Sequence, residues 1–329
     1  MGLFEWSFLQ TWQYQFTDLS YPRTDCTGKT AVVTGATGGL GLEAGRHFAR
    51  LKAAKVILGC RNTERGEAAK RAIEDSIKDL GPDVVEVWPV DLGSFESVKE
   101  FCDRANSLDR LDYMIQNAGL AAAKYKSLEG YEETITVNVL STFLTTLLLL
   151  PVLRKTVSAF NTMPHVTIVA SDAHYFTSFP QRKEPIMFQA LKGDNDMANR
   201  YYISKLLVVL IAREMANALD TSPKCKIVLN TVNPGFCDTD LWRNAPWPLL
   251  PILKFMARHV GRTPEMGSRT LMWAVFAGDE THGAYSGDCM LHDMSALARS
   301  EDGHATGRRA YGELLNILES VVPGISGNI

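Results

Sequence analysis

The sequence predicts an α/β fold in which a doubly wound parallel sheet of about seven strands carries helices on both faces of a single domain. Short β-rich runs alternate with amphipathic helical segments such as residues 62–79 and 94–108, which is the spacing of parallel strands joined by helices. The runs AVVTG, KVILG and HVTIVA are continuously apolar, as expected for strands buried on both faces. The candidate strands are residues 30–34, 55–59, 84–90, 111–116, 165–170, 226–232 and 284–290.

The bulk composition fits one large domain, since 46% of the 329 residues are hydrophobic and 22% are charged. A net charge of -3 predicts no nucleic-acid partner. The six cysteines are scattered without a C-x-x-C pair, so we expect reduced thiols, no metal site and a cytoplasmic protein. The most apolar run, residues 143–152, is too short for a transmembrane span, and the N-terminus lacks the positive region of a signal peptide.

Two segments stand outside this alternation in the domain of residues 29–329. Residues 1–28 carry large apolar groups about once per helical turn, which predicts a short helix sealing the domain edge; a membrane-surface contact or a lid is the alternative. Residues 238–262 concentrate prolines and apolar groups and predict a helical flap, followed by a C-terminal helix at about 304–321. The flap side chains expected to cover a substrate, or to pack only on protein, are Trp242, Trp247, Leu249, Leu250, Ile252, Phe255 and Met256.

A glycine-rich turn, TGATGGLG at residues 34–41, follows the first predicted strand, and a helical pattern begins within it. Glycines let the backbone approach a pyrophosphate, and a helix N-terminus offers free N–H groups and a positive dipole end. Alone the motif also fits an ordinary tight turn, but its place between strand and helix is the one that dinucleotide binding requires. The expected cofactor contacts in this turn are Gly35, Thr37, Gly38, Gly39, Leu40 and Gly41.

The end of the second predicted strand favours NADP(H) over NAD(H). An NAD site would place a carboxylate there for the ribose hydroxyls, but Gly59 occupies the position and no acid follows until Glu64. Arg61 lies just beyond, and a guanidinium suits a 2′-phosphate in charge and geometry. The alternative is that Arg61 is a solvated cation at the start of a helix.

Four polar residues further along the chain form a candidate reacting set. Ser171 follows a buried strand, at the sheet edge where ligands of open α/β folds bind. Tyr201 and Lys205 are four residues apart in a helical pattern and therefore share one helix face, whereas Tyr202 would face about 100° away and pack. Asn138 lies in another long helical stretch. Each has an ordinary structural explanation alone, but the ordered set downstream of a dinucleotide turn points to chemistry.

Together these motifs resemble the short-chain dehydrogenase/reductase family over about residues 29–292, and the resemblance implies a Rossmann-type fold. The stretch Ser-Asp-Ala-His at 171–174 and the setting of Arg61 are most similar to retinol-dehydrogenase-like and fungal members. One departure is Gln116, where the family usually has a first asparagine. The matching motifs are T-G-x-x-x-G-x-G at 34–41, Asp91-Leu92, Asn117-Ala118-Gly119, Asn138, Ser171, Tyr201-x-x-x-Lys205, and Pro234-Gly235 with Thr239.

The resemblance also implies a role for each residue. Tyr201 would be the general acid or base, and Lys205 would bind the nicotinamide ribose and lower the pKa of Tyr201. Ser171 would stabilise the substrate oxygen, and Asn138 would hold a water that relays protons from Lys205. The remaining cofactor contacts implied are Asp91 and Leu92 at the adenine, Asn117, Ala118 and Gly119 at the adenosine ribose, and Pro234, Gly235, Cys237 and Thr239 at the nicotinamide.

The expected function is therefore NADP(H)-dependent interconversion of a ketone or aldehyde and an alcohol on a lipophilic small molecule, such as a ketoreductase of secondary metabolism. Two alternatives stay open: a retinoid- or sterol-type dehydrogenase at the membrane surface, and a non-redox NADPH-binding regulator or isomerase/cyclase on the same scaffold. Family members often form homodimers through two long helices, which here correspond to residues 130–157 and 199–219.

Overall fold

The central sheet contains eight strands in the computed structural model, which describes residues 14–239, 241 and 249–329. Its order is β10-β9-β8-β7-β4-β1-β2-β3, and every neighbouring pair is parallel except β9 with β10. A separate hairpin of two-residue strands is formed by β5 and β6. The strands are β1 Thr30–Thr34, β2 Lys55–Cys60, β3 Val85–Pro89, β4 Tyr113–Gln116, β5 Ser127–Leu128, β6 Tyr131–Glu132, β7 His165–Val169, β8 Val228–Asn233, β9 Tyr285–Gly287 and β10 Met290–His292.

The predicted α/β class, with helices on both faces of the sheet, is confirmed. The helices are α1 Gly39–Arg50, α2 Thr63–Glu74, α3 Phe95–Asn106, α4 Ser141–Phe160, α5 Met187–Ala190, α6 Met197–Thr221, α7 Leu249–Val260, α8 Pro264–Phe276, α9 Ala296–Arg299 and α10 Glu301–Val321. In the segment ahead of β1, Tyr14 and Gln15 are helical and residues 17–26 are irregular.

The last predicted strand, residues 284–290, is divided into two antiparallel strands by a tight turn. Asp288 and Cys289 both have positive φ angles, 53° and 60°, so the turn has the handedness that suits a two-residue hairpin. The sequence signal for such a turn is normally Asn-Gly or Asp-Gly, and Asp-Cys lacks the glycine. The reversal was therefore missed, and the sheet has eight strands instead of about seven.

Alternating strand residues bury the two sheet faces in two separate cores. Val32 of β1 points into the core with helices α3, α4 and α6, whereas its neighbours Ala31 and Val33 point into the core with α1 and α8. This alternation is the two-residue period of a strand buried on both sides. The doubly wound arrangement leaves the carboxyl ends of the strands as an open edge, with the change of winding direction between β1 and β4.

One helical stretch, Glu133–Phe160, is long and apolar enough to cross a membrane, and it includes α4. Its most apolar 18-residue window is 89% buried inside the protein, where it packs on α3. We therefore interpret the stretch as a core helix. Among the residues that the structure describes, no second helix has this combination of length and composition.

The C-terminal segment covers both helices named for pairing between chains. Helix α10 lies along α6, and the turn after it contacts α4. Asn328 donates from Nδ2 to the Leu147 carbonyl at 3.1 Å and accepts from Arg154 through its own carbonyl. A homodimer through these helices would have to displace this segment, and the expectation of a homodimer stays a prediction.

Candidate active site

The carboxyl edge of the sheet carries a cavity of about 1060 Å³. It runs from the end of β2, past the glycine turn and the loop after β4, to the residues that follow β7 and β8. Of the predicted cofactor and reacting residues, this cavity is lined by all except Gly41 and Asn138, which lie directly behind its wall. The sequence-predicted residues are therefore gathered in one place.

The glycine turn packs against the loop after β4. Gly35 has a φ of +66°, and a Cβ there would lie 2.8 Å from the Ala118 Cα. A Cβ at Gly41 would lie 2.5 Å from the Asn117 amide nitrogen, so this glycine serves packing behind the cavity and does not line it. The close approach of the two loops requires glycine at both positions.

Helix α1 begins at the cavity without a capping side chain. Its N-cap is Gly38, which offers no side-chain acceptor to the N–H groups of the first turn. These donors and the positive end of the helix dipole face a space lined by Thr37, Gly38 and Gly39. The arrangement suits an anionic group such as a phosphate.

Asn117 ties this turn to the neighbouring strand. Its Nδ2 donates to the carbonyl of Thr34 at 2.9 Å and to that of Gly35 at 3.2 Å. Its backbone N–H and that of Ala118 both donate to the Thr34 hydroxyl, at 3.1 and 3.2 Å. The Asn-Ala-Gly motif therefore lines the cavity and also holds the glycine turn in place.

Asn138 lies in a π-helical turn, Thr136–Leu140, just before α4, where a regular α-helix was predicted. Its Oδ1 accepts from the Leu120 N–H at 2.9 Å, and its Nδ2 donates to the Leu120 carbonyl at 2.9 Å and the Ser204 hydroxyl at 3.0 Å. Both N–H groups are thus used, and one Oδ1 lone pair remains for the water that the resemblance implies. A π turn at a site of this kind is common, because it re-aims a side chain.

Ser171, Tyr201 and Lys205 meet at the centre of the cavity. The Ser171 hydroxyl hydrogen-bonds to the Tyr201 side chain, and Ser171 Oγ also accepts from the Ala173 N–H at 3.1 Å. Lys205 Nζ donates to the Val169 carbonyl at 2.8 Å and lies 5.8 Å from the centroid of the Tyr201 ring. Tyr201 and Lys205 are only 8% and 6% exposed, so their environment is of low dielectric.

Burial shifts the pKa values of Tyr201 and Lys205 in opposite directions, and it shifts that of Tyr201 against the expectation. It raises the pKa of Tyr201 to about 12, with a smaller opposing effect of the Ser171 hydrogen bond. The expected lowering of this pKa by Lys205 is not found in the protein alone, because burial disfavours the charged phenolate and sets the direction of the shift. Burial also lowers the pKa of Lys205 to about 8, so the amine is still mostly charged near neutral pH.

Ser171 is held from behind by His174. The imidazole is fully buried; its Nδ1 donates to the Ser171 carbonyl at 2.8 Å, and its Nε2 accepts from the Ser295 N–H at 3.0 Å. Burial lowers the pKa of His174 to about 4, so the ring is neutral. Asp172 accepts from the Tyr285 hydroxyl at 2.6 Å, which fixes the same turn. The Ser-Asp-Ala-His stretch is thus a support for the Ser171 position.

The far end of the cavity is rich in cations. Arg61 and Arg65 both line it, and neither side chain forms an ion pair or hydrogen bond with the residues that the structure describes. Asn62 Oδ1 caps α2 by accepting from the Arg65 N–H at 2.8 Å, so the start of this helix faces the same space. Asp91 and Leu92 form the opposite wall. Arg65 was missed from the sequence, although it lies one helical turn beyond Arg61.

The other end is formed by the loop after β8, residues 234–239. Cys237 is buried, donates from Sγ to the Pro234 carbonyl at 3.4 Å, and has its pKa raised to about 12 by burial. It is therefore a protonated packing residue near neutral pH. Gln15, from the segment before β1, also lines this end.

The flap presents a different face from the predicted one. Ile252 and Phe255 are 53% and 65% exposed, and the cavity is lined instead by Leu241, Leu253, Lys254 and Arg258. Leu250 and Met256 are half-buried and do not line it, while Trp242, Trp247 and the Leu249 side chain lie outside the described residues. The helical phase of α7 thus turns two cations toward the cavity.

The comparisons with known proteins agree with this geometry. The family profile described as short chain dehydrogenase matches residues 29–160. The chain is 40% identical over 321 residues to short chain dehydrogenase/reductase dmxR8 of Cryptosporiopsis sp. (strain 8999), covering 95% of this chain and 97% of that protein. It is 43% identical over 283 residues to short chain dehydrogenase atnD of Emericella nidulans, covering 83% and 88%. The chain belongs to the short-chain dehydrogenase/reductase family.

Solved structures of this family show the same fold at low sequence identity. A short-chain type dehydrogenase/reductase from Mycobacterium marinum has a TM-score of 0.61 at 18% identity, covering 84% of this chain and 97% of that one. A short chain dehydrogenase from Escherichia coli CFT073, complexed with NADPH, has a TM-score of 0.58 at 23% identity, covering 81% and 99%.

In this short-chain dehydrogenase/reductase, the family motifs identify most residues that line the cavity. They do not identify the residues that hold those lining residues in place. Gln15 and Arg262 contact the motif residues from segments distant in the chain, and His174 holds Ser171 from behind. Among the described residues, no group of three or more His, Cys, Asp or Glu side chains is placed to hold a metal ion.

Proposed function

We propose that this protein is an NADP(H)-dependent oxidoreductase that interconverts a ketone or aldehyde and an alcohol. The observation that carries the proposal is that Ser171 and the buried Tyr201 and Lys205 share one cavity with the uncapped start of α1. The complete set argues against a purely regulatory NADPH-binding protein, which would not need a phenol and a hydroxyl paired beside a buried ammonium.

The cavity fits a dinucleotide with a 2′-phosphate. The start of α1 and the glycine turn would hold the pyrophosphate, since their backbone donors face the cavity. Arg61 and Arg65 would bind the 2′-phosphate, because both guanidinium groups line the cavity without ion pairs to described residues. When bound, the nicotinamide supplies or accepts the hydride. The NADPH complex of the Escherichia coli relative supports the same assignment.

The protonated state of Tyr201 suits the proton donor that the reduction step needs. With a pKa near 12, the Tyr201 phenol keeps its proton at neutral pH and is ready to donate it from its hydroxyl to a carbonyl oxygen. The Ser171 hydroxyl, which bonds to the same phenol, would hold that oxygen as it gains charge. Lys205 Nζ would bind ribose hydroxyls and favour the phenolate once the proton has left. Oxidation would need that phenolate at the start, and burial opposes it.

The substrate would be a lipophilic small molecule, as in secondary metabolism. The cavity wall includes Leu120, Phe176, Tyr202 and Leu253, which offer apolar and aromatic contact. All six cysteines are unpaired thiols, which supports a cytoplasmic protein. A small-molecule substrate is therefore the partner we propose, and the assembly state is left to measurement.

A matched pair of variants tests the proposal. Tyr201→Phe should lower kcat with NADPH and a panel of apolar ketones by at least about 100-fold, because the proton donor is lost. It should leave the NADPH Kd within about twofold, since the hydroxyl is not expected to hold the cofactor. Tyr202→Phe is the control: it removes a neighbouring phenol that also lines the cavity, and it should keep near wild-type turnover.

Two results would contradict the proposal. Wild-type turnover in Tyr201→Phe would remove the proton-donor assignment. If the wild-type protein binds NADPH but oxidises none of it with any carbonyl compound in the panel, the regulator or isomerase alternative replaces the reductase.

A further inference from the structure

The segment before β1 is held on the domain by buried side chains. Gln15, Leu19 and Cys26 are 5%, 3% and 0% exposed. The Arg269 guanidinium donates to the Leu19 carbonyl at 2.5 Å, and that of Arg50 donates to the Pro22 carbonyl at 2.6 Å. This part of the chain lies outside the 29–160 match to the family profile, yet these three side chains are as buried as core residues.

The Gln15 side chain hydrogen-bonds to the backbone of the loop after β8. Its Oε1 accepts from the Phe236 N–H at 3.0 Å, and its Nε2 donates to the Phe236 carbonyl at 2.7 Å. The same Nε2 donates to the Val260 carbonyl, at the end of α7, at 3.0 Å. One buried side-chain amide thus joins the loop after β8 to the end of the flap helix α7. The Asn138 amide joins its π turn to the backbone of Leu120 in a similar way.

Arg262 also holds this loop, and we call the contacts of Gln15 and Arg262 together the clamp. Its guanidinium donates to the carbonyls of Tyr14 (2.6 Å), Gln15 (3.2 Å) and Pro234 (3.2 Å), and it pairs with Asp288 at 2.5 Å. Its backbone accepts from Asp238 at 3.0 Å and donates to Phe236 at 2.8 Å, so the two ends of the flap are joined at this residue.

The contacts of Gln15 and Arg262 explain why the Pro-Gly motif has a glycine at position 235. Gly235 has a φ of +80°, and a Cβ there would lie 2.7 Å from an Arg262 guanidinium nitrogen and 3.0 Å from Gln15 Oε1. Glycine is needed here for two reasons: it adopts the positive φ angle without strain, and it leaves room for the Arg262 and Gln15 side chains. The motif and the N-terminal segment therefore form one unit.

We infer that Gln15 is a positioning residue of the active site, which fixes the loop at residues 234–239 and the base of the flap. The inference rests on the proposed function, in which this loop borders the nicotinamide end of the cofactor. Gln15 does not need to touch the reacting atoms. It sets the position of backbone groups that do, at the opposite end of the cavity from Arg61 and Arg65.

Two ligands separate this role from a general effect on folding. NADPH would contact both ends of the cavity under the proposed function, whereas 2′,5′-ADP carries only the adenine end with its phosphates. Gln15→Met keeps the side-chain length and removes the amide, so the Kd of NADPH should rise about tenfold or more while that of 2′,5′-ADP stays within about twofold. Gln15→Asn retains an amide but draws it back by one methylene, and it should show the same split. Thr17→Ala, two residues along and exposed, is the matched control and should change neither Kd.

Calorimetric titration with a melting curve for each variant decides between the outcomes. A selective loss of NADPH affinity in folded protein supports the inference. An NADPH Kd within twofold of wild type in both Gln15 variants overturns it, and so does an equal loss for the two ligands, which would mean a structural role only. If wild-type protein binds neither ligand, the proposed function fails first, and this is visible before any variant is compared.

Discussion

Acid should destabilise this protein in part through His174, and the size of the effect follows from its environment. The imidazole is fully buried and burial lowers its pKa from 6.5 to about 4, so the folded state holds it neutral. Above pH 6.5 the ring is neutral in both the folded and the unfolded chain and contributes nothing to pH dependence. Between pH 6.5 and 4 only the unfolded chain takes up the proton, so the free energy of unfolding falls as the pH falls.

The magnitude is about 1.4 kcal/mol for each pH unit of that window. From pH 6.5 to 4.5 the His174 contribution should therefore be a loss of roughly 3 kcal/mol, and below pH 4 it should level off because the folded ring then also protonates. At neutral pH the variant His174→Asn should be less stable by about 1–3 kcal/mol, since the Ser295 N–H loses its acceptor. Its further loss on acidification should be smaller than that of wild type by roughly 3 kcal/mol.

Urea unfolding at pH 7 and pH 4.5 measures this difference. His304→Asn is the control, because His304 is exposed, and it should keep the wild-type loss on acidification. Burial also lowers the pKa values of His47 and His165 to about 4, but these residues are present in all three proteins and cancel in the comparison. Equal losses in wild type and His174→Asn would refute the account of the buried neutral ring behind Ser171.

Two further predictions concern the cofactor and the base of β1. Arg61→Asp and Arg65→Asp should each raise the Kd of NADPH about tenfold or more and that of NADH much less, measured by titration; equal effects on the two cofactors would remove the 2′-phosphate assignment. Asp112→Ala should lower the free energy of unfolding by about 3 kcal/mol, because the buried carboxylate pairs with Lys29 and Arg110. Asp109→Ala, at a fully exposed side chain, should cost under about 0.5 kcal/mol, and equal melting temperatures for the two variants would contradict this.

The positions of most strands along the chain and the glycine turn could be predicted from local pattern alone. Residues 30–34 form β1 as predicted, because a continuous apolar run followed by glycines is determined by neighbours in the chain. The reversal at Asp288 and Cys289 was missed because its turn lacks the usual glycine. Family resemblance then supplied residues such as Asn138 and Ser171, whose individual patterns are not specific.

The supports of the site could not be predicted, because they depend on contacts across the chain. Gln15 and Phe236 are 221 residues apart, and no spacing rule links them. The pKa of Tyr201 was assigned the wrong direction because burial, which raises it, is a property of the packed structure. The flap was assigned the wrong inner face because the orientation of α7, which leaves Ile252 and Phe255 exposed, depends on how the helix packs on the rest of the chain.

The most direct test of the proposed reaction is the fate of a labelled hydride. NADPH carrying deuterium at the reactive nicotinamide carbon should be incubated with wild-type protein and an apolar ketone, and the alcohol product analysed by mass spectrometry. The account predicts deuterium on the carbinol carbon, in step with the NADPH consumed. Oxidation of NADPH without label in the alcohol, or no oxidation with any carbonyl compound tested, would contradict it.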